Sequence, residues 1–278
     1  MKIGVGVVTF NNSQEDLRKF ARAFSIAARE VTPAVSLFFV DNGNPSHLSD
    51  LFQKSPDGNL EVQALPSQGN VGYTRAINRL MKAAFDENKL DGFITANPDG
   101  AFHHAAYLNF IKRHTEFPQA VLEARQFPEE HSKVYDPVKL DTSWCSGCCI
   151  FIPRKIYEKV GPFDENFFMY MEDVDFSWRV RSQGFQIKLC PDVLYCHFVF
   201  GRPINETAIK QQYVSGRYLA WKWGHRRFFR WAQKTLLRKK GFTQQSLPAL
   251  TEKKPHFSRR ERMVTYFKRA FFFSETRW

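Results

Sequence analysis

The chain has 278 residues, 43% hydrophobic and 24% charged, with Phe unusually frequent at 28. That is ordinary for a soluble globular protein and enough for one large α/β domain with an appendage or for two modest domains; no apolar run nears the ~18 residues of a membrane-spanning helix. The formal charge of +12 is lopsided: residues 1–200 carry 21 basic and 24 acidic side chains, residues 201–278 carry 19 and 4, so the two parts have different tasks.

The first residues, Met1 to Val8, lack the length and cleavage site of a signal peptide, which points to a cytoplasmic chain. Ile3 to Phe10 is rich in β-formers, Asn11-Asn12-Ser13 supplies a turn and cap, and Leu17, Phe20, Ala21 and Phe24 recur at helical spacing. Val35 to Val40 reads as a second strand ending on Asp41-Asn-Gly. Leu60 to Leu65 reads as a third, followed by Gly69-Asn-Val-Gly72-Tyr and the helical set Ala76, Ile77, Leu80, Met81, Ala84. Gly92 to Ala96 is a fourth, stopping on Asn97-Pro-Asp99-Gly. Strands alternating with helices in this way predict βαβ units and a mostly parallel sheet. All four predicted strands end in polar turn residues, and in a parallel sheet those ends share one edge, where α/β proteins bind ligands.

Gly4 and Gly6 lie inside the first strand, so no G-x-G-x-x-G opens a helix, and no G-x-x-x-x-G-K-[ST] occurs; both absences count against dinucleotide-dependent dehydrogenases and P-loop phosphotransferases. The five cysteines are an odd set with three crowded at 145, 148 and 149, a poor disulfide framework. Cys145-Ser-Gly-Cys148 runs into strand-like Cys149-Ile-Phe-Ile rather than opening a helix, so reduced core thiols are favoured over metal or redox chemistry. Gln126 to His131 reads as a surface loop, and His103 and His104 as the start of a surface helix. The segment Glu172 to Gln183 reads as a helix with acids in its first turn and Gly184 as its stop, entered from the aromatic stretch Phe167-Phe-Met-Tyr-Met171.

Val8-Thr-Phe-Asn-Asn12, Val40-Asp-Asn-Gly43, Asn70-x-Gly-Tyr-x-x-x-x-Asn78, Asn97-Pro-Asp99 and the block from Gly161 to Gly184 occur in this order. Together they resemble the inverting family 2 glycosyltransferases of GT-A fold, and most of all their rhamnosyltransferase branch, over roughly residues 1 to 200. The resemblance implies a Rossmann-like, mostly parallel sheet flanked by helices, with residues 1–200 as the nucleotide-sugar-binding and catalytic domain and 201–278 as a basic, aromatic-rich helical extension. It places Thr9, Asn11 and Asp41 at the nucleotide base and ribose. Asn70, Gly72 and Asn78 shape the donor pocket, with Arg75 at the diphosphate. Asn97-Pro98-Asp99 stands where many relatives have Asp-x-Asp, one carboxylate fewer for a cation.

Inverting sugar transfer needs a base for the acceptor hydroxyl and something to stabilise a departing diphosphate; Mg²⁺ or Mn²⁺ suits the second task. Asp99 is the expected carboxylate ligand, and His197 a second, on the pattern of some relatives. Asp173 is the expected base, with Glu172 as its competitor; Asp175, two residues on, faces another side of the helix and reads as structural. The resemblance favours dTDP-rhamnose as donor, with a UDP-sugar such as UDP-galactofuranose as runner-up, and a glycan or lipid-linked acceptor. A non-catalytic sugar- or lipid-binding relative and a nucleotidyltransferase are the rival readings.

Tyr213 to Lys240 mixes aromatic and basic residues at helical spacing, and Arg259 to Phe273 repeats the theme. Packing on the catalytic domain, an anionic membrane surface and nucleic acid compete as explanations. The amphipathic pattern favours peripheral attachment to the inner face of a membrane with apolar faces partly docked on the domain, and not nucleic acid, for which no recognised module is present.

Overall fold

A computed structural model describes residues 1–32, 35–43, 61–128, 130, 133, 135–198, 205–250 and 258. The junction at 200/201 and the basic stretch from Arg259 to Phe273 lie outside the described residues. Four strands, β1 (Ile3–Thr9), β2 (Ser36–Asp41), β3 (Val62–Leu65) and β4 (Gly92–Ala96), pair in parallel in the order β3-β2-β1-β4. β1, β2 and β4 are buried along their whole length, as a sheet covered on both faces demands, and this explains their unbroken apolar runs.

Beyond β4 the pairing changes. β7 (Cys149–Pro153) lies antiparallel to β4, β6 (Ala120–Phe127) antiparallel to β7, and β8 (Gln186–His197) parallel to β6; β5 (Gly100–Phe102) closes the edge antiparallel to β8. The predicted parallel sheet is therefore mixed at this end. Gln126, expected in a surface loop, is a buried residue near the end of β6. The antiparallel return comes from long-range pairing, which the local pattern does not encode.

The β4–β5 connection shapes the site. Ala96 and Gly100 are four residues apart, a reach of at most ~14 Å, yet β5 is four strand positions from β4, ~19 Å in a flat sheet. The sheet must therefore curl, bringing Asn97–Asp99 against the end of β8.

Helices α1 (Gln14–Arg29) and α3 (Ala106–Glu116) cover one face through Leu17, Phe20, Phe24, Tyr107 and Phe110; α2 (Tyr73–Lys82), α4 (Arg154–Val160) and α5 (Glu172–Ser182) cover the other through Ile77, Leu80, Ile156, Phe176 and Val180. Each buried Phe contributes about 1.5–3 kcal/mol by leaving water. The Ser13 hydroxyl caps α1 by accepting from the Asp16 N–H at 3.1 Å. A third cluster joins Trp144, Phe167, Met171, Val174 and Trp178 to Tyr218, Leu219 and Trp223 of α6 (Glu206–Trp223), which α7 (Arg226–Lys239) follows. α6, in the basic part of the chain, is thus packed against α5 and the segment before it. Asp175 is fully buried and ion-paired with Arg179 and Lys222, in the structural place expected of it.

Candidate active site

At the carboxyl ends of β1 and β2, Thr9 and Asp41 are register partners, and the Thr9 hydroxyl donates to Asp41 Oδ2 at 2.9 Å. The Gly43 N–H donates to Asp41 Oδ1 at 2.7 Å. Asn11 takes a left-handed backbone (φ 52°), with its side-chain oxygen against Gly43, where an added Cβ would stand 2.6 Å away. Asn42 donates to the Gly72 carbonyl at 3.0 Å, and Asn70 Oδ1 accepts from the Gly72 N–H at 3.2 Å. Thr9, Asn11, Asp41, Asn70 and Gly72 therefore meet at one sheet edge.

Arg75 and Asn78 turn elsewhere. Arg75 is exposed, 3.8 Å from Glu165. The Asn78 amide donates to the Phe163 carbonyl at 2.9 Å and accepts from the Phe163 N–H at 3.0 Å. Both side chains face the segment 163–171, the strap that leads into α5.

The link between β4 and β5 brings Asn97 and Asp99 to β8. Gly100 pairs with His197, and an added Cβ at Gly100 would lie 2.3 Å from the Tyr195 ring, so only glycine fits. The Tyr195 hydroxyl donates to the Asn97 carbonyl, and Phe198 N–H donates to the Asp99 carbonyl at 2.9 Å. Asp99 Oδ1 stands 3.3 Å from His197 Nε2, and Asn97 Nδ2 stands 3.4 Å from the same nitrogen. On the ring's far side Nδ1 is 3.2 Å from Gln126 Oε1. A proton on Nδ1 would donate to that carbonyl and leave the Nε2 lone pair facing Asn97 Nδ2 and the Asp99 carboxylate.

A carboxylate oxygen and an imidazole nitrogen 3.3 Å apart can both reach one divalent ion through bonds of ~2.1 Å. The pair of O and N donors fits Mn²⁺ better than Mg²⁺, which prefers oxygen alone. Among the described residues no group of three or more His, Cys, Asp or Glu side chains gathers as metal ligands, so the remaining positions would fall to substrate oxygens and water.

Asp173 and Glu172 open α5 and are both buried. Asp173 Oδ2 accepts from the Gly147 N–H at 2.9 Å and Oδ1 from the Val174 N–H at 2.8 Å, which fixes the carboxylate's orientation. The Gly147 carbonyl accepts from Thr95 Oγ1 at 2.7 Å and from the Tyr73 hydroxyl at 3.3 Å. The next carbonyl, of Cys148, accepts from the Asn97 N–H at 3.0 Å. Asp173 and the Asn97–Asp99 link thus hang on successive residues of one loop. Burial, reinforced by Glu172, holds the Tyr73 hydroxyl well above its ordinary value, so it stays a proton donor.

Three contributors escaped the sequence reading. Tyr73 lay within a quoted motif without a role, Gly147 within a segment weighed for its thiols, and Gln126 within the supposed loop. The thiols themselves are free and, Cys196 apart, buried. Burial pushes Cys190 up to about 12 and Cys145 and Cys149 upward too, as inert core thiols should behave.

No family model matches the chain. It is 26% identical over 225 residues to the N-acetylglucosaminyl-diphospho-decaprenol L-rhamnosyltransferase of Mycobacterium tuberculosis, covering 65% of this chain and 71% of that one. It is 22% identical to a low-salt glycan biosynthesis hexosyltransferase of Haloferax volcanii, covering 74% and 70%. Among solved structures, the Pyrobaculum calidifontis mannosyltransferase PcManGT with GDP-Man and Mn²⁺ superposes with a TM-score of 0.60 at 13% identity, covering 86% of this chain and 70% of that one. Staphylococcus aureus TarS gives 0.59 at 15% identity; the match covers 86% of this chain and only 44% of TarS. The fold is that of the GT-A glycosyltransferases, and the chain is similar in sequence to a curated rhamnosyltransferase and a curated hexosyltransferase.

Proposed function

We propose that the chain transfers rhamnose, with inversion, from dTDP-rhamnose to a lipid-linked acceptor sugar such as an N-acetylglucosaminyl diphosphate lipid. The sugar and the acceptor follow the name of the mycobacterial relative, and the dTDP carrier follows the sequence resemblance. One observation carries the reading: Gly147 holds Asp173 while its neighbour Cys148 holds the Asn97–Asp99 link, so a base and a cation-binding carboxylate flank the same loop.

Thr9, Asn11 and Asp41 take the nucleoside, and Asn70 and Gly72 shape the donor pocket. Asp99 and His197 would hold a divalent ion, Mn²⁺ before Mg²⁺, which supplies charge neutralisation to the leaving diphosphate. Asp173 accepts the proton of the acceptor hydroxyl. The freed oxygen attacks the anomeric carbon as the bond to the diphosphate oxygen breaks, and the diphosphate departs with that electron pair. Glu172 beside it is the alternative base.

Incubation with dTDP-rhamnose and a panel of UDP-sugars, with Mn²⁺ and the lipid-linked acceptor, should release dTDP. UDP release would transfer the reading to a UDP-sugar, and consumption of no donor would make the chain a binding protein. Asp173→Asn should lower transfer about 10²–10⁴-fold with dTDP binding retained; wild-type turnover in that variant removes the assignment.

The extension supports a membrane site. α7 carries Arg226, Arg227, Arg230, Lys234, Arg238 and Lys239, no acid, and a Trp231 that is 43% exposed. Each cation near anionic lipid contributes about 1 kcal/mol. Cosedimentation should favour anionic over neutral vesicles, and equal pelleting would count against peripheral attachment.

A further inference from the structure

The acid-bearing helix begins on strained backbone. Tyr170 and Met171, immediately before Glu172, have φ of 68° and 67°. Side-chain-bearing residues avoid this region, and two in succession persist only where the surroundings enforce them. On one flank the enforcement comes from the donor side. Gly72, itself at φ 85°, approaches so closely that an added Cβ would stand 2.4 Å from the Phe168 carbonyl, and Asn78 grips the backbone of Phe163.

On the other flank it comes from α6. Ser215 donates to the Met169 carbonyl at 2.7 Å. The buried Lys222 ammonium bridges Asp164 and Asp175, 2.7 Å from each, and Trp223 Nε1 donates to Asp175 at 2.9 Å. Tyr218 donates to Asp164 at 3.0 Å and meets Phe167 edge-on, and Trp178 and Trp223 meet in the same way. A lysine enclosed between two carboxylates is an expensive way to dock a helix, because apolar packing would do so without desolvating charge. What it adds is a fixed position: Asp164 and Asp175 stand before and after the strained turn.

We propose that α6 is a positioning element for the acid pair: Ser215, Tyr218 and Lys222 hold the Tyr170–Met171 turn and thereby aim Asp173, making the docked extension necessary for transfer and unnecessary for nucleotide binding. This rests on the reading of Asp173 as the base. The residues concerned touch no substrate; they act through the backbone of 169–175.

Ser215→Ala, Tyr218→Phe, Lys222→Met and Lys222→Arg, made in the full chain, test it. The readouts are amide exchange over 169–175, calorimetric dTDP binding with Mn²⁺, and kcat and donor KM with dTDP-rhamnose. Exchange over 169–175 should rise in Ser215→Ala, Tyr218→Phe and Lys222→Met and stay unchanged in β1. kcat should fall about tenfold or more in Lys222→Met and about threefold in Ser215→Ala and Tyr218→Phe, with dTDP affinity and donor KM within about twofold. Lys222→Arg should restore part of kcat. Unchanged exchange, or raised exchange with wild-type kcat, overturns the proposal, as does a parallel loss of dTDP affinity in variants that remain folded. If Lys222→Met does not fold, the two milder variants decide by the same outcomes. A wild-type chain that consumes no donor overturns the transferase reading and the catalytic half of this one, whereas active wild type with unimpaired variants overturns this one alone.

Discussion

Asp99 sits on backbone that the sheet holds directly: Gly100 pairs with His197, Asn97 N–H reaches the Cys148 carbonyl, and Phe198 N–H reaches the Asp99 carbonyl. Asp173 stands instead at the end of a strap without a strand, kept in place by side chains from α2 on one flank and α6 on the other. Backbone bonds of this kind do not depend on which side chains the paired residues carry, proline excepted. The strap depends on particular amides, hydroxyls and charges. The Asp99 side is thus held by backbone pairing, and the Asp173 side by particular side chains of α2 and α6.

Damage to the corner should give the largest effect. Asp99→Asn removes the carboxylate beside His197 and should weaken Mn²⁺-dependent dTDP binding on the order of 10²-fold by calorimetry, with the melting temperature little changed. Gln126→Leu leaves the ligands in place and releases the His197 ring, so Mn²⁺ affinity should fall about 10- to 100-fold. The strap should respond in stability: Gly72→Ala combines a left-handed φ with a clash against the Phe168 carbonyl and should cost about 1–3 kcal/mol. For a chain of this size each kcal/mol lowers the melting temperature by roughly 2–4 °C.

The smallest effect is pH-dependent. Burial alone would raise the Asp164 carboxyl, but Lys222 and Asn166 outweigh it and hold it below its ordinary value. A depressed carboxyl contributes stability that is present above the unfolded value near ~3.9 and is lost as pH falls through the folded one. Denaturant midpoints of wild type and Lys222→Met should therefore converge below about pH 4. A difference that stays constant through that range would mean that the Asp164–Lys222 pair does not contribute to it.

Much of the candidate site could be read from residue order. Thr9, Asn11, Asp41, Asn70, Gly72, Asn97 and Asp99 all lie at the ends of runs recognisable by composition, and polar turns at the ends of parallel strands must share an edge. Asn78 and Arg75 carried the same kind of signal yet face the strap, because helical spacing states which residues share a face and not what that face meets. Gln126 looked like loop because Phe-Pro-Glu-Glu follows it. Its burial beside His197 depends on β6 running parallel to β8, a pairing between residues some 70 positions apart.

Sequence alone determined the alternating elements, the acids at the start of α5, the glycine stop at 184 and the contrast between an acidic body and a basic extension, since each is a property of neighbouring residues and of the periods of helix and strand. Tertiary structure alone decided that the sheet curls, that His197 reaches Asp99, and that Lys222 and Trp223 are buried anchors rather than surface cations and aromatics. Burial and charge pairing are relations between distant segments, and no local pattern states which segment will be the partner.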